Sequence, residues 1–351
     1  ILSKSNLSDW LFKRNEYNIK VGTFIKMDQS IKDIPKIELH CHLDGSVSKH
    51  LIRQLAQEQR IPLNEDCLTV HEDCESLEAY LKCFDEVLKV LQTADSLKRA
   101  IVDVAQQAYE DNVKYIEIRF APLLHMEQGM TLLDVLKAVE AGVNIIQDTL
   151  HMKVNLLICA MRQHASSVNK QLFDDVSIYN SEKICGIDFA GPEVGFPPYE
   201  IQDTIQYGLE KGMNLTLHAG ECGCIHNVLE TIKIGAKRIG HGVAANLDEA
   251  VLKEVKAKDV LLEICPKSNL QTKAIETLSQ INIPYLLKND IPFIINTDNR
   301  MVTQTSLNEE YTLLLKHQLI NINQIKYINK RAVQYAFLTE EEKSQVLQSM
   351  S

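Results

Sequence analysis

The sequence lacks the features that membrane, nucleic-acid and dinucleotide-binding proteins require. No hydrophobic run approaches the roughly 18 residues that span a bilayer, so we expect no membrane segment and no membrane partner. The formal net charge is −10, and phosphate backbones bind basic surfaces, so nucleic acid is not an expected partner. No Gly-x-Gly-x-x-Gly follows the first apolar strand pattern, so a dinucleotide-binding fold has no support.

The cysteines form no recognisable framework. There are nine of them, an odd number, scattered along the chain, and no secretory leader is recognisable. We therefore expect reduced thiols and a cytoplasmic protein. Only one residue separates Cys222 from Cys224, which suits neither a zinc ribbon nor a Cys-x-x-Cys redox pair, so we interpret both as ordinary loop residues.

The first 26 residues differ from the rest in being rich in Ser, Lys and Asn. They contain the single Trp, Trp10, and Met27 comes shortly before the first strong strand pattern. We predict that 1–26 is a leader or an artificial extension and that 27–351 is one domain. Docking of 10–12 (Trp-Leu-Phe) as part of a helix is the alternative. No oligomeric state follows from the sequence.

Short apolar runs alternate with longer amphipathic ones along the domain. Most of the runs are rich in Ile, Val or Leu without polar alternation, as in strands buried on both faces of a parallel sheet. The predicted strands are 36–43, 113–122, 153–162, 184–190, 214–219, 237–241, 260–266 and 292–297. The predicted helices between them are 95–111, 131–150, 199–212, 226–236, 246–258 and 274–289.

Eight strands that alternate with helices predict an α/β fold, a single (β/α)8 TIM-type barrel. A doubly wound open sheet is the competing fold. The segment 46–94 is long for one connection and has helical patterns at 46–59 and 76–92, which predicts extra helices over the C-terminal mouth. Apolar side chains of this segment either fill its core or line the mouth; they are Leu51, Leu55, Leu77 and Tyr80. Residues 305–349 are also predicted to be helical.

Polar side chains that bind metals or move protons recur where four of the predicted strands end. They are His40 and His42 on the first strand, His218 and Glu221 at the fifth, His241 at the sixth and Asp298 at the eighth. Taken singly, a His there suits a structural role and Asp298 suits a helix cap. Active sites of TIM barrels lie at these strand ends, and four of the 11 His fall there. The joint pattern therefore favours one site.

The residue types indicate the chemistry. Three neutral imidazoles and one carboxylate suit zinc with an open position for water, and zinc lowers the pKa of bound water toward about 7. A His that is not a ligand can take the proton of that water. A protonated Glu on the other side can donate to a ring nitrogen. Together these groups favour hydrolytic removal of an amino group from a purine-like ring.

Seven sequence motifs carry a resemblance that covers about residues 30–340. They are KIELHCHLDGSV, YIEIRFAPLL, GIDFAGPE, TLHAGE, RIGHG, LEICPKSN and IINTDN. In this combination and order the chain resembles the adenosine deaminases of the amidohydrolase superfamily, of bacterial type. The resemblance implies a metal-dependent deaminase barrel that converts adenosine and 2′-deoxyadenosine to inosine and 2′-deoxyinosine plus ammonia, in purine salvage.

The resemblance also implies residue roles. One Zn²⁺ per chain is expected, and its ligands would be His40, His42, His218 and Asp298. Glu221 would protonate purine N1, and His241 would deprotonate and orient the zinc-bound water. The purine nucleoside would be held by Asp44 at the ribose 5′-hydroxyl, by the backbone N–H of Gly191 at N3, and by Asn299 at N7.

Two positions depart from the common family pattern. Many members have two consecutive acids after Asn-Thr, and here Asn299 replaces the second. Purine N7 is an acceptor; a carboxyl group must be protonated to donate to it, whereas an amide donates directly, so the replacement is compatible with activity. After Glu193, the segment 194–196 (Val-Gly-Phe) also lacks the acid that is common there.

Three alternatives remain at this stage. A deaminase of adenine or of a modified adenosine would share the fold, although adenine-specific relatives tend to have Glu where Asp44 stands. A two-metal hydrolase of the superfamily often uses a Lys or Glu near strand 4 or 5, and predicted strand 184–190 has no Lys. A binding protein without activity typically loses a ligand or the acid, and here every matched residue is present.

Overall fold

The computed structural model describes residues 30–70 and 80–351. Within them, eight parallel strands form two four-stranded sheets, in the order β1-β2-β3-β4 and β5-β6-β7-β8. The strands are β1 (Lys36–His42), β2 (Val113–Phe120), β3 (Lys153–Met161), β4 (Ile184–Ala190), β5 (Thr216–Ala219), β6 (Arg238–His241), β7 (Leu261–Ile264) and β8 (Phe293–Ile295). All eight predicted strands are present, and most are a few residues shorter than predicted.

Two further contacts join the sheets into a closed barrel. Ile187 on β4 bridges to Leu215, just before β5, and Cys41 on β1 bridges to Asp298, just after β8, both in the parallel sense. At the second junction the His42 N–H donates to the Asp298 carbonyl at 2.7 Å, and the Asp298 N–H donates to the His40 carbonyl at 3.0 Å. The barrel prediction is confirmed, and its closure fixes strand 1 against the segment after strand 8.

The helices surround the barrel and cover its carboxyl end. The described α-helices are α1 (Lys49–Gln59), α2 (Cys83–Val90), α3 (Ala94–Glu110), α4 (Leu132–Leu150), α5 (Ser166–Tyr179), α6 (Gln202–Glu210), α7 (Ile225–Ile234), α8 (Glu249–Ala257), α9 (Pro266–Gln271), α10 (Ile283–Lys288), α11 (Leu307–Lys316), α12 (Ile322–Ala332) and α13 (Glu340–Ser349). Short 3₁₀ turns lie at Glu65–Cys67, Pro122–His125, Val243–Leu247, Leu278–Ile281 and Val333–Tyr335. None of the described helices is both long enough and apolar enough to cross a bilayer.

The sequence explains where the longest helices begin and how they pack. Thr93 starts α3 and Thr131 starts α4, each in a reciprocal capping box with the residue three positions on. A Cβ on Gly142 of α4 would lie 2.7 Å from Cβ of Ile101 on α3, so the two helices approach closely only because Gly142 has no side chain. Their apolar stripes pack against the barrel, α3 on β2 and α4 on β3.

The structure corrects three details of the sequence prediction. Helix α5 was not predicted, because it buries a narrow stripe among polar residues, centred on Leu172, Phe173 and Val176. The predicted strand 260–266 ends at Ile264, and α9 follows directly. The predicted helix 274–289 is divided into a 3₁₀ turn and α10, because Asn282 has φ 53° and Pro284 follows it.

Apolar side chains of the segment 46–94 serve both of the predicted purposes: some fill the core and others line the mouth of the barrel. Leu51 and Leu55 are 7% and 2% exposed and belong to the core, whereas Tyr80 lines a cavity at the barrel mouth. Leu77 and residues 1–26 lie outside the described residues, so the boundary at 26 stays a prediction.

Candidate metal and active site

The carboxyl ends of three strands bring the predicted metal-binding residues together. His40 Nε2 lies 3.3 Å from Asp298 Oδ1, and His42 Nε2 lies 3.5 Å from the same oxygen. His42 Nε2 also lies 3.2 Å from Nε2 of His218. Strands β1, β5 and the end of β8 therefore place three imidazoles and one carboxylate around a common point at the mouth of the barrel.

His241 belongs to the same cluster. One potential ligand atom from each of four residues lies within 4.8 Å of the other three, and those residues are His40, His218, His241 and Asp298. His42 is not one of these four residues, although its Nε2 lies 3.5 Å from Asp298 Oδ1 and 3.2 Å from His218 Nε2. Distance alone therefore does not decide whether His42 or His241 completes a set of three His and one Asp.

Two buried carboxylates orient the imidazoles from behind. Glu263 Oε2 on β7 lies 2.9 Å from His40 Nδ1, and Asp188 Oδ2 on β4 lies 2.8 Å from His218 Nδ1. A carboxylate only accepts, so the proton of a neutral His40 ring lies on Nδ1 and its Nε2 lone pair faces the cluster. Arg119 joins the two acids, with 2.6 Å to Asp188 and 2.8 Å to Glu263.

The sequence reasoning did not identify these supporting charges. A signal was present, because Arg119, Asp188 and Glu263 interrupt strands that were predicted to be buried on both faces. Charged side chains are rarely fully buried unless they are paired, and all three are 0% exposed. The sequence could therefore have indicated that these charged residues pair with one another and with the predicted metal ligands.

Two of the clustered residues have an unusual backbone conformation. Asp298 has φ 63° and His241 has φ 61°, in the left-handed region that residues other than Gly seldom adopt. Ser268 Oγ donates to Asp298 Oδ2 at 2.6 Å, and Nδ2 of Asn269 lies 2.9 Å from His241 Nδ1. Helix α9 thus fixes both side chains, which leaves Asp298 Oδ1 and His241 Nε2 facing the cluster.

The electrostatics keep the cluster in a metal-binding state. Burial, together with the neighbouring His218 and His40, lowers the pKa of His42 well below its usual value despite the presence of Asp298. Burial opposes ionisation of Asp298, but interaction with its His neighbours outweighs burial and holds the pKa of Asp298 well below the usual range. Neutral imidazole and ionised carboxylate are the forms that bind metal.

The acceptor atoms of the cluster face one another, which is favourable only if a cation lies between them. The lone pair of His40 Nε2 points toward a carboxylate oxygen of Asp298, and this nitrogen is buried without a hydrogen-bond partner. Facing lone pairs in a buried site repel unless a proton or a metal lies between them. The donor set of imidazoles and one carboxylate is the type that zinc prefers.

Glu221 lies beside this cluster, on the loop after β5. Its Oε2 is 3.7 Å from His241 Nε2. The loop is held by Glu193, which is 4% exposed and accepts from the backbone N–H groups of Gly220 at 2.7 Å and Cys222 at 3.1 Å, on both sides of Glu221. Glu193 therefore fixes the position of Glu221, a role that the sequence motif alone did not reveal.

A cavity of about 310 Å³ opens above the cluster, within the range of small-ligand sites. The three residues predicted to bind substrate, Asp44, Gly191 and Asn299, line it with Glu221. The opposite wall is apolar and comprises Leu81, Phe84, Leu88, Leu124 and Met161, among others. Among the described residues that line the cavity, none is Lys or Arg.

Two of the lining residues are tightly packed. Gly191 has φ 97°, and a Cβ there would lie 2.5 Å from Oε1 of Gln163, so a side chain at this position is unfavourable. Asn299 packs against Gly45, where a Cβ would lie 1.9 Å from Asn299 Oδ1. That oxygen is buried and has no hydrogen-bond partner.

A larger cavity of about 1190 Å³ lies near the start of strands β3 and β4, by Lys153 and Ile184. Its lining mixes Lys, Arg, Asp and Glu side chains with backbone of the last helices. The smaller cavity is the candidate site, because catalytic residues of TIM barrels lie at the carboxyl ends of the strands.

The closed parallel barrel, the His and Asp cluster and the adjoining acid define the class of metal-dependent barrel hydrolases. Residues 35–351 match the family model described as adenosine deaminase. An adenosine deaminase of Enterococcus faecalis is 40% identical over 324 residues, which cover 90% of this chain and 96% of that protein. The chain belongs to the adenosine deaminase family.

Solved structures agree with the fold. The crystal structure of an adenine deaminase from Arthrobacter aurescens has a TM-score of 0.84 at 22% identity, over 90% of this chain and 98% of that one. An amidohydrolase from Burkholderia ambifaria, crystallised with bound Zn, has a TM-score of 0.83 at 18% identity, over 92% and 91% of the two chains. The predicted family, barrel fold and enzyme class are therefore confirmed.

Proposed function

We propose that this protein hydrolyses adenosine and 2′-deoxyadenosine to the corresponding inosines and ammonia. The observation that carries the proposal is the convergence of a His and Asp cluster with Glu221 at the floor of one small cavity, in a chain of the adenosine deaminase family. A protein that only bound nucleosides would have no need for an acid beside a metal-binding cluster.

The cofactor in this proposal is one zinc ion per chain. His40, His42, His218 and Asp298 would hold it. We assign His42 rather than His241 as the third imidazole because His42 Nε2 lies 3.2 Å from His218 Nε2 and 3.5 Å from Asp298 Oδ1, and because the family resemblance gives it that role. Zinc bound there would lower the pKa of a coordinated water toward about 7 and so supply hydroxide at neutral pH.

The two remaining groups manage protons. His241, held by Asn269 through Nδ1, presents Nε2 toward the cavity floor and would accept a proton from the attacking water. Glu221, held in place through Glu193, would donate its proton to N1 of the purine. The closeness of His241 Nε2 and Glu221 Oε2, at 3.7 Å, supports action of the two groups at the same reacting centre.

The cavity suits a neutral nucleoside. Its apolar wall suits a purine ring, and Asp44 would accept a hydrogen bond from the ribose 5′-hydroxyl. The carboxyl groups of Asp44, Asp85, Glu221 and Asp298 line the cavity without Lys or Arg among the described lining residues. A 5′-phosphate would therefore bring negative charge toward the carboxyl group of Asp44, with no Lys or Arg among the described lining residues to compensate it.

The chief rival is a deaminase of free adenine, the activity named for the Arthrobacter protein. Asp44 argues against this, because free adenine offers no hydroxyl to a carboxyl group that is only 6% exposed. A buried acceptor left without its partner costs binding energy, about 1–3 kcal/mol.

A substrate panel with a matched variant tests the proposal. Zinc-loaded protein should turn over adenosine and 2′-deoxyadenosine, measured by loss of absorbance, in preference to adenine, 5′-methylthioadenosine and AMP. Glu221→Gln should lower kcat by about 10²–10⁴ with zinc still bound, since general acid–base catalysis supplies that factor. The exposed Glu200→Gln is the control. A preference for adenine, or a Glu221→Gln variant with most of its kcat, would refute the proposal.

A further inference from the structure

A single helical segment, residues 80–92, crosses the mouth of the cavity; we refer to it as the mouth segment. It contains helix α2 and presents Leu81, Phe84 and Leu88 to the cavity, at helical spacing. A nucleoside bound below would be covered by these side chains. Substrate entry and product release therefore depend on how the two ends of the mouth segment are attached to the barrel.

The far end of the mouth segment is attached by four hydrogen bonds. Gln59 Nε2 donates to the Val90 carbonyl at 2.9 Å. His125 Nδ1 donates to the Leu91 carbonyl at 2.9 Å. Gln92 donates to the Leu124 carbonyl at 2.9 Å and accepts from the backbone N–H of Glu127 at 3.0 Å. Burial lowers the pKa of His125 to about 4, so this ring is neutral at physiological pH. This end is a firm attachment to the connection after β2.

The near end is attached in a different way. The Tyr80 hydroxyl lies 2.7 Å from the hydroxyl of Thr303, 223 residues away in the chain. Tyr80 is 1% exposed and Thr303 is 0% exposed. The Thr303 N–H in turn donates to the carbonyl of Asn299 at 2.9 Å, and the side chains of Ser268 and Asn299 lie beside the Tyr80 hydroxyl. The Tyr80–Thr303 hydrogen bond thus joins the mouth segment to the turn that carries Asp298.

We propose that the Tyr80–Thr303 hydrogen bond is the latch that positions the mouth segment over a bound purine nucleoside and thereby sets its affinity. Tyr80 is a positioning residue in this proposal. The Asn64 N–H also donates to Glu86 Oε2 at 3.1 Å, and the bonds at Val90, Leu91 and Gln92 hold the far end. Release of Tyr80 would therefore free the start of the segment while the rest stays tethered. The identity of the ligand rests on the proposed function, whereas the latch itself rests on the contacts above.

The proposal predicts an effect on binding rather than on chemistry. Tyr80→Phe removes only the hydroxyl and leaves the ring to cover the cavity. One buried hydrogen bond is equivalent to a change of about 3- to 10-fold in an equilibrium constant. We therefore expect both the KM for adenosine and the Kd for inosine to rise about 3- to 10-fold. We expect kcat to stay the same or to rise, because opening of such a segment often limits product release.

Two further variants separate a latch from a general loss of stability. Thr303→Val removes the partner hydroxyl at nearly constant volume and should reproduce the effect, and the double variant should be no worse than either single one. Tyr311→Phe is the matched control, because that buried hydroxyl accepts from Asn329 at 2.7 Å and its residue does not line the cavity. It should lower the melting temperature without changing KM or Kd.

Hydrogen–deuterium exchange gives a readout that is independent of activity. Backbone amides of 81–88 should exchange faster in Tyr80→Phe than in the unaltered protein, while those of 89–92 keep their protection. If Tyr80→Phe leaves KM, the inosine Kd and this exchange unchanged, or if the double variant is strictly additive, the latch is refuted. If the unaltered protein binds inosine through a Tyr80-dependent step but does not turn over adenosine, the latch stands and the proposed function fails.

Discussion

Replacing Glu263 by Gln tests how the protein prepares His40 for a metal. Glu263 is completely buried; it accepts from His40 Nδ1 at 2.9 Å and pairs with Arg119 at 2.8 Å and with Arg238 at 2.7 Å. Burial alone would raise the pKa of Glu263, but the charges of the two Arg residues and the hydrogen bond from His40 outweigh burial and lower it. The carboxylate is therefore ionised at neutral pH.

The substitution keeps the shape of the side chain but removes its charge, with two measurable results. Loss of one partner from a buried ion pair costs on the order of 3–5 kcal/mol of unfolding free energy, and the isosteric amide favours the lower end of that range. Loss of a carboxylate behind a metal-bound His typically weakens metal affinity by about 10–100-fold, because the tautomer and orientation of the ring are no longer fixed.

Both results can be measured on the same preparations. Urea unfolding of the metal-free protein gives the stability change, and competition with a chromogenic chelator gives the zinc affinity. The control is Glu65→Gln, which breaks the exposed ion pair with Arg53 and should change neither value measurably. If Glu263→Gln bound zinc within twofold of the unaltered protein and unfolded at the same urea concentration, the role assigned to Glu263 would be wrong.

Two other predictions concern an unusual residue and a buried acid. Asn299→Asp should make kcat/KM fall as pH rises through the pKa of the new carboxyl, because only its protonated form donates to purine N7; a pH profile as flat as that of the unaltered protein would contradict this contact. Burial raises the pKa of Glu310 to about 8 from a usual 4.5, so the folded state holds a proton that the unfolded state has lost, and stability should fall between about pH 4.5 and 8 by up to about 1.4 kcal/mol per pH unit. Glu310→Gln should flatten that decline in urea titrations, whereas an unchanged slope would show that Glu310 is ionised in the folded protein.

Much of the fold followed from local patterns. An apolar run such as 153–162 is a strand because Ile, Val and Leu without polar alternation suit a sheet buried on both faces. Where the pattern was weak, the prediction failed: α5 buries only a narrow stripe, and Asn282 divides a helix that periodicity had made continuous. Local propensity does not reveal these features, because contacts with the rest of the barrel determine them.

The candidate site divides in the same way between sequence and structure. The sequence by itself placed His40, His42, His218, His241 and Asp298 at strand ends, because alternation along a strand and the direction of a parallel barrel are local properties that bring such ends to one mouth. It also identified Asp44, Gly191, Glu221 and Asn299, through motifs. Only the tertiary structure brought Glu263 behind His40, Glu193 beneath the Glu221 loop and Thr303 against Tyr80. The residues of these pairs are separated by 223, 27 and 223 positions in the sequence. Contacts over such separations produce no periodic pattern in the sequence. The packing of the whole barrel determines them.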